Sequence, residues 1–178
     1  MDKNKFFNSA AVAAILIGAA SAHAAELKDH QEWSLLTAGF SRHSTQPSSG
    51  IHRWRDFHPG IGIEAKESEG LDTDWRRSLA AGAMQDSRGV WGGHASISAM
   101  KTLYSSAAIR VDAGAGLYAF YRSMNWRGKM GFVPAILPVM SITNPEYRIG
   151  LNLLVVPPVG RKGDRPAVLF AQISYRLN

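Results

Sequence analysis

The feature that most restricts how this chain can fold is a two-residue alternation between Ile109 and Arg122. Ile109, Val111, Ala113, Ala115, Leu117, Ala119 and Tyr121 fall on one side, and no charge interrupts them. Arg110, Asp112, Gly114, Gly116, Tyr118, Phe120 and Arg122 fall on the other, a mixture of small, charged and aromatic groups. Only an extended strand separates odd from even residues onto two faces, whereas a helix would scatter both sets around its circumference. This fifth segment, Ser106–Arg122, is the clearest of eight. The others are Trp33–Arg42, Gly60–Lys66, Asp74–Gln85, Val90–Met100, Gly131–Ile142, Tyr147–Val156 and Pro166–Leu177. In the seventh, Tyr147, Ile149, Leu151, Leu153 and Val155 oppose Arg148, Gly150 and Asn152. In the eighth, Ala167, Leu169, Ala171, Ile173, Tyr175 and Leu177 oppose Gln172, Ser174 and Arg176.

An uncharged apolar face set against a partly polar one fits a strand with lipid outside and a packed interior inside. A soluble sandwich or a lipocalin-like binder shows the same alternation with the faces exchanged. Two observations favour the membrane. Eight segments of about ten residues match the span of a bilayer strand. The N-terminus also has the layout of a secretory signal peptide: Lys3 and Lys5, an apolar run from Ala10 to Ala20, then Ala22-His23-Ala24 as a small-x-small cleavage site. The reading is therefore all-β: residues 1–24 a signal peptide, and residues 25–178 an eight-stranded antiparallel up-and-down transmembrane β-barrel with a short N-terminal segment. In lipid every backbone polar group must be paired, so a closed barrel is the one sheet that can span. Eight strands enclose an interior just wide enough for side chains or one narrow ligand. The expected location is the bacterial outer membrane, with the protein a monomer. The absence of Cys among 178 residues excludes a disulfide scaffold, a thiolate zinc site and a Cys nucleophile.

With both termini on the inner side, the outer rim is formed by His43–Pro59, Asp86–Gly89, Ser123–Met130 and Pro157–Arg165. Glu67–Thr73 and Thr143–Glu146 become inner turns. The outer links carry Arg53, Arg55, Arg88, Arg127, Lys129, Arg161, Lys162 and Arg165. Removing the signal leaves 18 basic and 13 acidic groups, a net charge of +5. A basic rim suits the phosphates of an outer leaflet rich in lipopolysaccharide, and Arg161, Lys162 and Arg165 are candidate contacts for it. The sixth segment holds Pro134 and Pro138, and each proline removes a ladder donor. A gap in the wall is expected there, and another at Pro157-Pro158.

Three polar residues reach one rim: His43 at the end of the first segment, and Asp86-Ser87 at the end of the third. A hydroxyl or a water becomes a useful acyl acceptor once a base takes its proton, and histidine titrates near neutral pH. A carboxylate that orients the imidazole would complete a triad. The chain has no G-x-S-x-G turn, so a soluble hydrolase fold is not implied. His43, His52 and His58 share the first outer link without the tight spacing of a metal site, so no metal and no cofactor are expected. Nothing in the chain points to nucleic acid.

The stretch Ser78-Leu-Ala-Ala-Gly-Ala-Met-Gln-Asp-Ser-Arg-Gly89, with His43 ahead of His58-Pro59-Gly60-Ile61-Gly62, resembles the lipid A palmitoyltransferase (PagP) family. Phe132-Val-Pro-Ala-Ile-Leu-Pro-Val-Met-Ser141 is similar to that family's proline-interrupted sixth strand, its lateral route for lipid. The three motifs occur in the family's order over nearly the whole mature chain. The resemblance implies an acyltransferase that moves a fatty acyl chain from a membrane phospholipid to lipid A, remodelling lipopolysaccharide. It implies that His43, Asp86 and Ser87 carry the reaction and that Pro134 and Pro138 border lipid entry. It also implies that Ser98, where palmitate-selective members have Gly, shortens the acyl pocket. The chain departs from the family in its ending, Ser174-Tyr-Arg-Leu-Asn178. It also departs in an N-terminal amphipathic segment reduced to Ala25–Trp33, and in a first outer link poor in Tyr and Trp. These departures keep open a non-enzymatic barrel that binds lipid or lipopolysaccharide.

Overall fold

The computed structural model describes residues 31–47, 53–67, 74–158 and 166–178. Every regular element in them is a strand: β1 (Gln31–His43), β2 (Phe57–His58), β3 (Gly60–Glu67), β4 (Trp75–Gln85), β5 (Trp91–Ser105), β6 (Arg110–Ser123), β7 (Met130–Asn144), β8 (Ile149–Val156) and β9 (Val168–Arg176). From β3 to β9 each strand pairs antiparallel with the next, and β1 pairs with β9, so the sheet closes. β2 and β3 both pair with β1, at Gly39–Phe40 and at Gln31–Leu36. Pro59 separates them, so they are two pieces of one stave and the cylinder has eight staves.

All eight sequence segments are present in order, and the main adjustments are three. The second, Gly60–Lys66, is β3, and the short β2 precedes it across Pro59. The fourth runs on to Ser105, and the fifth begins at Arg110. Ser106 ends the fourth because its backbone N–H donates to Ile109 O at 2.9 Å and its hydroxyl accepts from Ile109 N–H at 3.1 Å, closing a turn. Trp33 belongs to β1 and not to a helix. The proposed signal peptide and the stretch to residue 30 lie outside the described residues.

The wall is inverted relative to a soluble sandwich. Leu117 is 53% exposed and Ile136 77%, while Asp112 is fully buried, with Ser78, Ser98, Ser141, Asn152 and Gln172 close to it in burial. Aliphatic side chains outside and hydroxyls, amides and charges inside cost free energy in water and recover it in hydrocarbon. Ring closure pairs every strand on both sides over most of its length and leaves unpaired edge only between β7 and β8. The barrel is therefore built for a bilayer.

The interior has two halves. Toward the inner turns a charged plug fills it: Asp112 takes Arg110 Nε at 3.0 Å and Arg76 Nη1 at 3.5 Å, and Lys66 Nζ reaches Ser141 Oγ at 3.1 Å. Arg76 Nη2 also meets Glu32 at 3.1 Å. Toward the other mouth the filling is mainly apolar, with Met100, Tyr118, Leu137, Val139 and Leu154 packed together, and the Asn152–Glu64 hydrogen bond of 3.3 Å lies on the wall of the same space. Met100 pairs with Arg76, so the apolar half begins where the plug ends.

The wall has a gap on one side. The β6–β7 ladder is continuous from Ser123–Met130 to Arg110–Thr143, past both prolines. The β7–β8 ladder spans only Val139–Leu154 to Asn144–Ile149. From Met130 to Pro138, β7 has no partner in β8. The donors missing at Pro134 and Pro138 are thus accounted for on the open side, since the β6 side stays paired. The sequence reading gave Pro157-Pro158 a gap of its own; instead these residues follow β8 directly and flank the same opening.

Candidate functional site

The apolar half contains a cavity of about 180 Å³. Leu36, Met100 and Leu137 line its deep part, and Ser41, His58 and Ser87 line its outer part. It is a well with one charged end and one open mouth, and every predicted catalytic residue lies at that mouth.

The turn between β4 and β5 presents two of them. The Asp86 N–H donates to Val90 O at 2.8 Å, and the Gly89 N–H donates to Asp86 O at 2.8 Å, with Gly89 at φ 77°. That φ lies in the left-handed region, which glycine tolerates without a Cβ penalty. Asp86 Oδ1 accepts from the backbones of Arg88 (2.9 Å) and Val90 (3.1 Å). Its Oδ2 accepts from the backbone and the hydroxyl of Ser123. Burial pushes the Asp86 carboxyl up, and the bonds from Ser123, Val90 and Arg88 outweigh it, so the group is held below the ordinary carboxylate range. Both oxygens are thus committed to the turn and to β6. The triad reading needs amending here, because no hydrogen bond joins Asp86 to the His43 imidazole. Asp86 instead fixes the turn that delivers Ser87.

Ser87 is buried and faces the cavity, and its carbonyl accepts from Arg55 N–H at 2.9 Å. His43, at the end of β1, lies against the Trp54 ring, with centroids 5.1 Å apart and planes 10° from parallel. Trp126 stacks on Trp54 at 5.0 Å, and the Arg88 guanidinium lies 5.0 Å from the Trp54 centroid and 5.5 Å from that of Trp126. His43 Nδ1 is buried without a hydrogen-bond partner. A buried polar atom left unpaired is costly, and such atoms mark places where something else is bound or moved. Burial first, then the like charges of His58, Arg122 and Arg88, lower the His43 pKa against the pull of Asp56. The imidazole is therefore kept neutral, as a base must be. His43 and Ser87 emerge at the same mouth, and no hydrogen bond joins them.

His58 is buried, with Nε2 2.7 Å from Ser41 Oγ and Nδ1 3.0 Å from Gln85 O. It ties β1 to β4 across the break at Pro59. Sequence reasoning singled it out as a metal candidate and as the start of the His58–Gly62 stretch, and these bonds occupy both ring nitrogens. Among the described residues no three His, Asp or Glu side chains converge; His52 lies outside them.

Ser98 faces inward, with its hydroxyl 2.7 Å from that of Ser78, on the cavity lining. Pro134 and Pro138 alternate with inward Ala135 and Leu137, so they face lipid and border the gap without lining the well. Arg161, Lys162 and Arg165 lie outside the described residues. The sequence reading missed Trp54, Trp126, Arg122 and Ser123. The first two carried a weak signal, as aromatic residues inside basic outer links.

No protein-family model and no curated protein matches the chain. Among solved structures, the N-terminal β-barrel domain of Pseudomonas aeruginosa OprF is similar, with 14% identity, a TM-score of 0.46 and coverage of 84% of this chain and all of that one. The attachment invasion locus protein Ail of Yersinia pestis, solved with the heparin analogue sucrose octasulfate, has 13% identity and a TM-score of 0.45, covering 83% of this chain and 98% of that one. Neisserial surface protein A has 9% identity and a TM-score of 0.43, covering 83% of this chain and 96% of that one. At these values no activity is inferred from any of them.

Proposed function

We propose that the protein is an outer-membrane acyltransferase that moves a fatty acyl chain from a phospholipid to lipid A. The observation that carries this reading is the one-ended apolar well under a rim holding His43 and Ser87, beside a wall left open at Pro134–Pro138. A lipid chain entering sideways through the gap can lie in the well with its ester at the rim. His43 takes the proton of the acceptor hydroxyl as that oxygen attacks the ester carbonyl. The ester bond to glycerol breaks, and the departing oxygen takes the proton. Acylated lipid A and a lysophospholipid result. Ser87 supplies a hydroxyl at the reacting ester, and Asp86 holds the turn. The resemblance of the Asp86-Ser87 and Pro134–Pro138 stretches to lipid A palmitoyltransferases supports the same assignment.

The test is lipid A mass spectrometry on cells with and without the protein. The expected result is lipid A heavier by one acyl chain. His43→Ala and Ser87→Ala should each lose about 10²-fold or more of the transfer, the scale of a general base, while keeping the heat-modifiable folded band. An unchanged lipid A spectrum with the wild-type protein refutes the reading. One observation favours the alternative, a non-enzymatic barrel that binds lipid or lipopolysaccharide: both Asp86 oxygens are already used as turn acceptors. That alternative predicts unaltered lipid A and no effect of His43→Ala.

A further inference from the structure

Two residues on the outer part of the well form a contact that the rim chemistry leaves unused. Ser41 lies two residues before His43 on β1, and His58 lies on β2, which pairs with β1. Both line the well, Ser41 at 6% exposure and His58 at 2%. Ser41 Oγ is 2.7 Å from His58 Nε2, and His58 Nδ1 is 3.0 Å from Gln85 O. A carbonyl oxygen only accepts, so Nδ1 carries the proton and donates to Gln85 O. Both ring nitrogens are thereby taken and no carboxylate bonds the ring, and a buried imidazole in that setting stays neutral. Nε2 is then an acceptor, and the Ser41 hydroxyl donates to it. Arg55 O, at 3.5 Å, is the weaker acceptor for the same hydroxyl.

A hydroxyl bonded to an imidazole, and that imidazole bonded to an oxygen that fixes its tautomer, is the order of a nucleophile, its base and the base's orienter. Here a backbone carbonyl does the orienting, and it cannot change its charge. The strand ladder sets both partners: Gly39 pairs with His58, and Ser41 pairs with Phe170. The Phe170 ring lies 5.8 Å from that of His58, and Leu154 pairs with Phe170 on the same lining. A hydrocarbon chain resting on Phe170 and Leu154 therefore lies beside the Ser41 hydroxyl. The rim pair lacks this wiring, since no hydrogen bond joins His43 to Ser87. A tie between strands does not require a hydroxyl on a cavity wall, whereas a nucleophile does.

We propose that Ser41 is a covalent acyl-accepting site of this barrel, with His58 as its base. The site does not rest on transfer to lipid A and uses neither His43 nor Ser87. Its substrate class is the carboxylic ester of a hydrocarbon chain that fits the well. His58 Nε2 takes the hydroxyl proton as Ser41 Oγ attacks the ester carbonyl carbon. The bond from that carbon to the alcohol oxygen breaks, and the alcohol leaves with the proton from Nε2. The chain stays in the well as an ester of Ser41. Water then gives a proton to Nε2 as its oxygen bonds the carbonyl carbon. Ser41 Oγ departs, recovers the proton, and a fatty acid is released.

The experiment reads the adduct and not turnover. Purified full-length barrel in detergent micelles is mixed with a dodecyl fluorophosphonate, which phosphonylates a nucleophilic serine with loss of fluoride. Intact mass gives the stoichiometry, and fragmentation of proteolytic peptides gives the position. The expected result is a single label per barrel, on Ser41, and none in Ser41→Ala. His58→Gln should label about 10²-fold more slowly or worse, the scale of a lost general base; a heat-modifiable band confirms that each variant is folded. A second measurement needs only the wild-type barrel. Mixed with p-nitrophenyl dodecanoate and quenched in acid, it should carry a dodecanoyl group on the peptide that holds Ser41. A folded wild-type barrel with neither label nor acyl group at Ser41 overturns the proposal. So does label that settles on Ser87 in place of Ser41, or that persists in Ser41→Ala.

Discussion

Replacing Asp112 by Asn should cost about 2–3 kcal/mol of folding free energy. Asp112 is fully buried and accepts from Thr102 Oγ1 at 2.8 Å and Arg110 Nε at 3.0 Å, with Arg76 Nη1 at 3.5 Å. Asparagine keeps one acceptor oxygen for Arg110 and Thr102, but turns a donor toward Arg76. Removing one partner of a buried ion pair costs about 3–5 kcal/mol when the other charge is left alone. Arg76 still has Glu32 at 3.1 Å, so the cost falls at or below the bottom of that range. Asp112→Ala removes both oxygens and leaves a void, and should cost about 4 kcal/mol or more. Urea unfolding in phospholipid vesicles, followed by tryptophan fluorescence and by heat-modifiable migration, measures both. If both Asp112 variants stay within about 1 kcal/mol of wild type, the charged plug is not what closes the inner end of the well.

Three further outcomes follow from the site. Ser98→Met should shorten the preferred acyl chain by about two methylenes, and at ~0.8 kcal/mol for each excluded CH₂ the preference shifts about 15-fold. Ser98→Gly should move it the other way, and chromatography of the transferred chains reads both; an unchanged length profile removes Ser98 from the lining that matters. Pro134→Ala with Pro138→Ala restores two donors on the open side of β7, so lipid entry should slow while stability rises by about 1 kcal/mol per bond formed. Faster turnover in that double variant would contradict a lateral route. The His43 pKa is lowered, chiefly by burial, below its ordinary value of 6.5. A base works only when deprotonated, so kcat/KM should hold down to pH 6.5 and fall as pH drops through the lowered value. Arg88→Gln removes one of the depressing charges and should move the acid limb upward; a downward move would exclude His43 as the titrating group.

The wall was legible because its physics is local. Outward Ile109, Leu117, Ile149, Leu169 and Ile173 alternate with inward residues along single strands, and lipid imposes that pattern strand by strand. Turn chemistry was legible for the same reason at Asp86–Gly89, where an aspartate, a serine and a glycine suffice to reverse the chain. Strand ends were less so: the fourth segment ran beyond Met100 because its last residues owe their pairing to Val111 and Arg110 on β6. At the site, the sequence could bring His43 and Ser87 to one rim by counting strands. It could not foresee that Ser123 would claim the Asp86 carboxylate, because that bond joins groups 37 residues apart.

The sequence alone therefore determined the class of solvent, the number of staves and the end of the cylinder that carries polar chemistry, since each depends on period and count. Closure decided the rest. Only when β9 meets β1 do Glu32, Arg76, Asp112 and Arg110 converge into a plug, leaving the opposite half as a well. Only pairing across strands shows that two separated proline pairs frame one opening, and that Ser41 and His58 meet on the lining of the well. Contacts between residues far apart in the chain depend on register and on side-chain volume around the whole ring, and no stretch of sequence holds that information by itself.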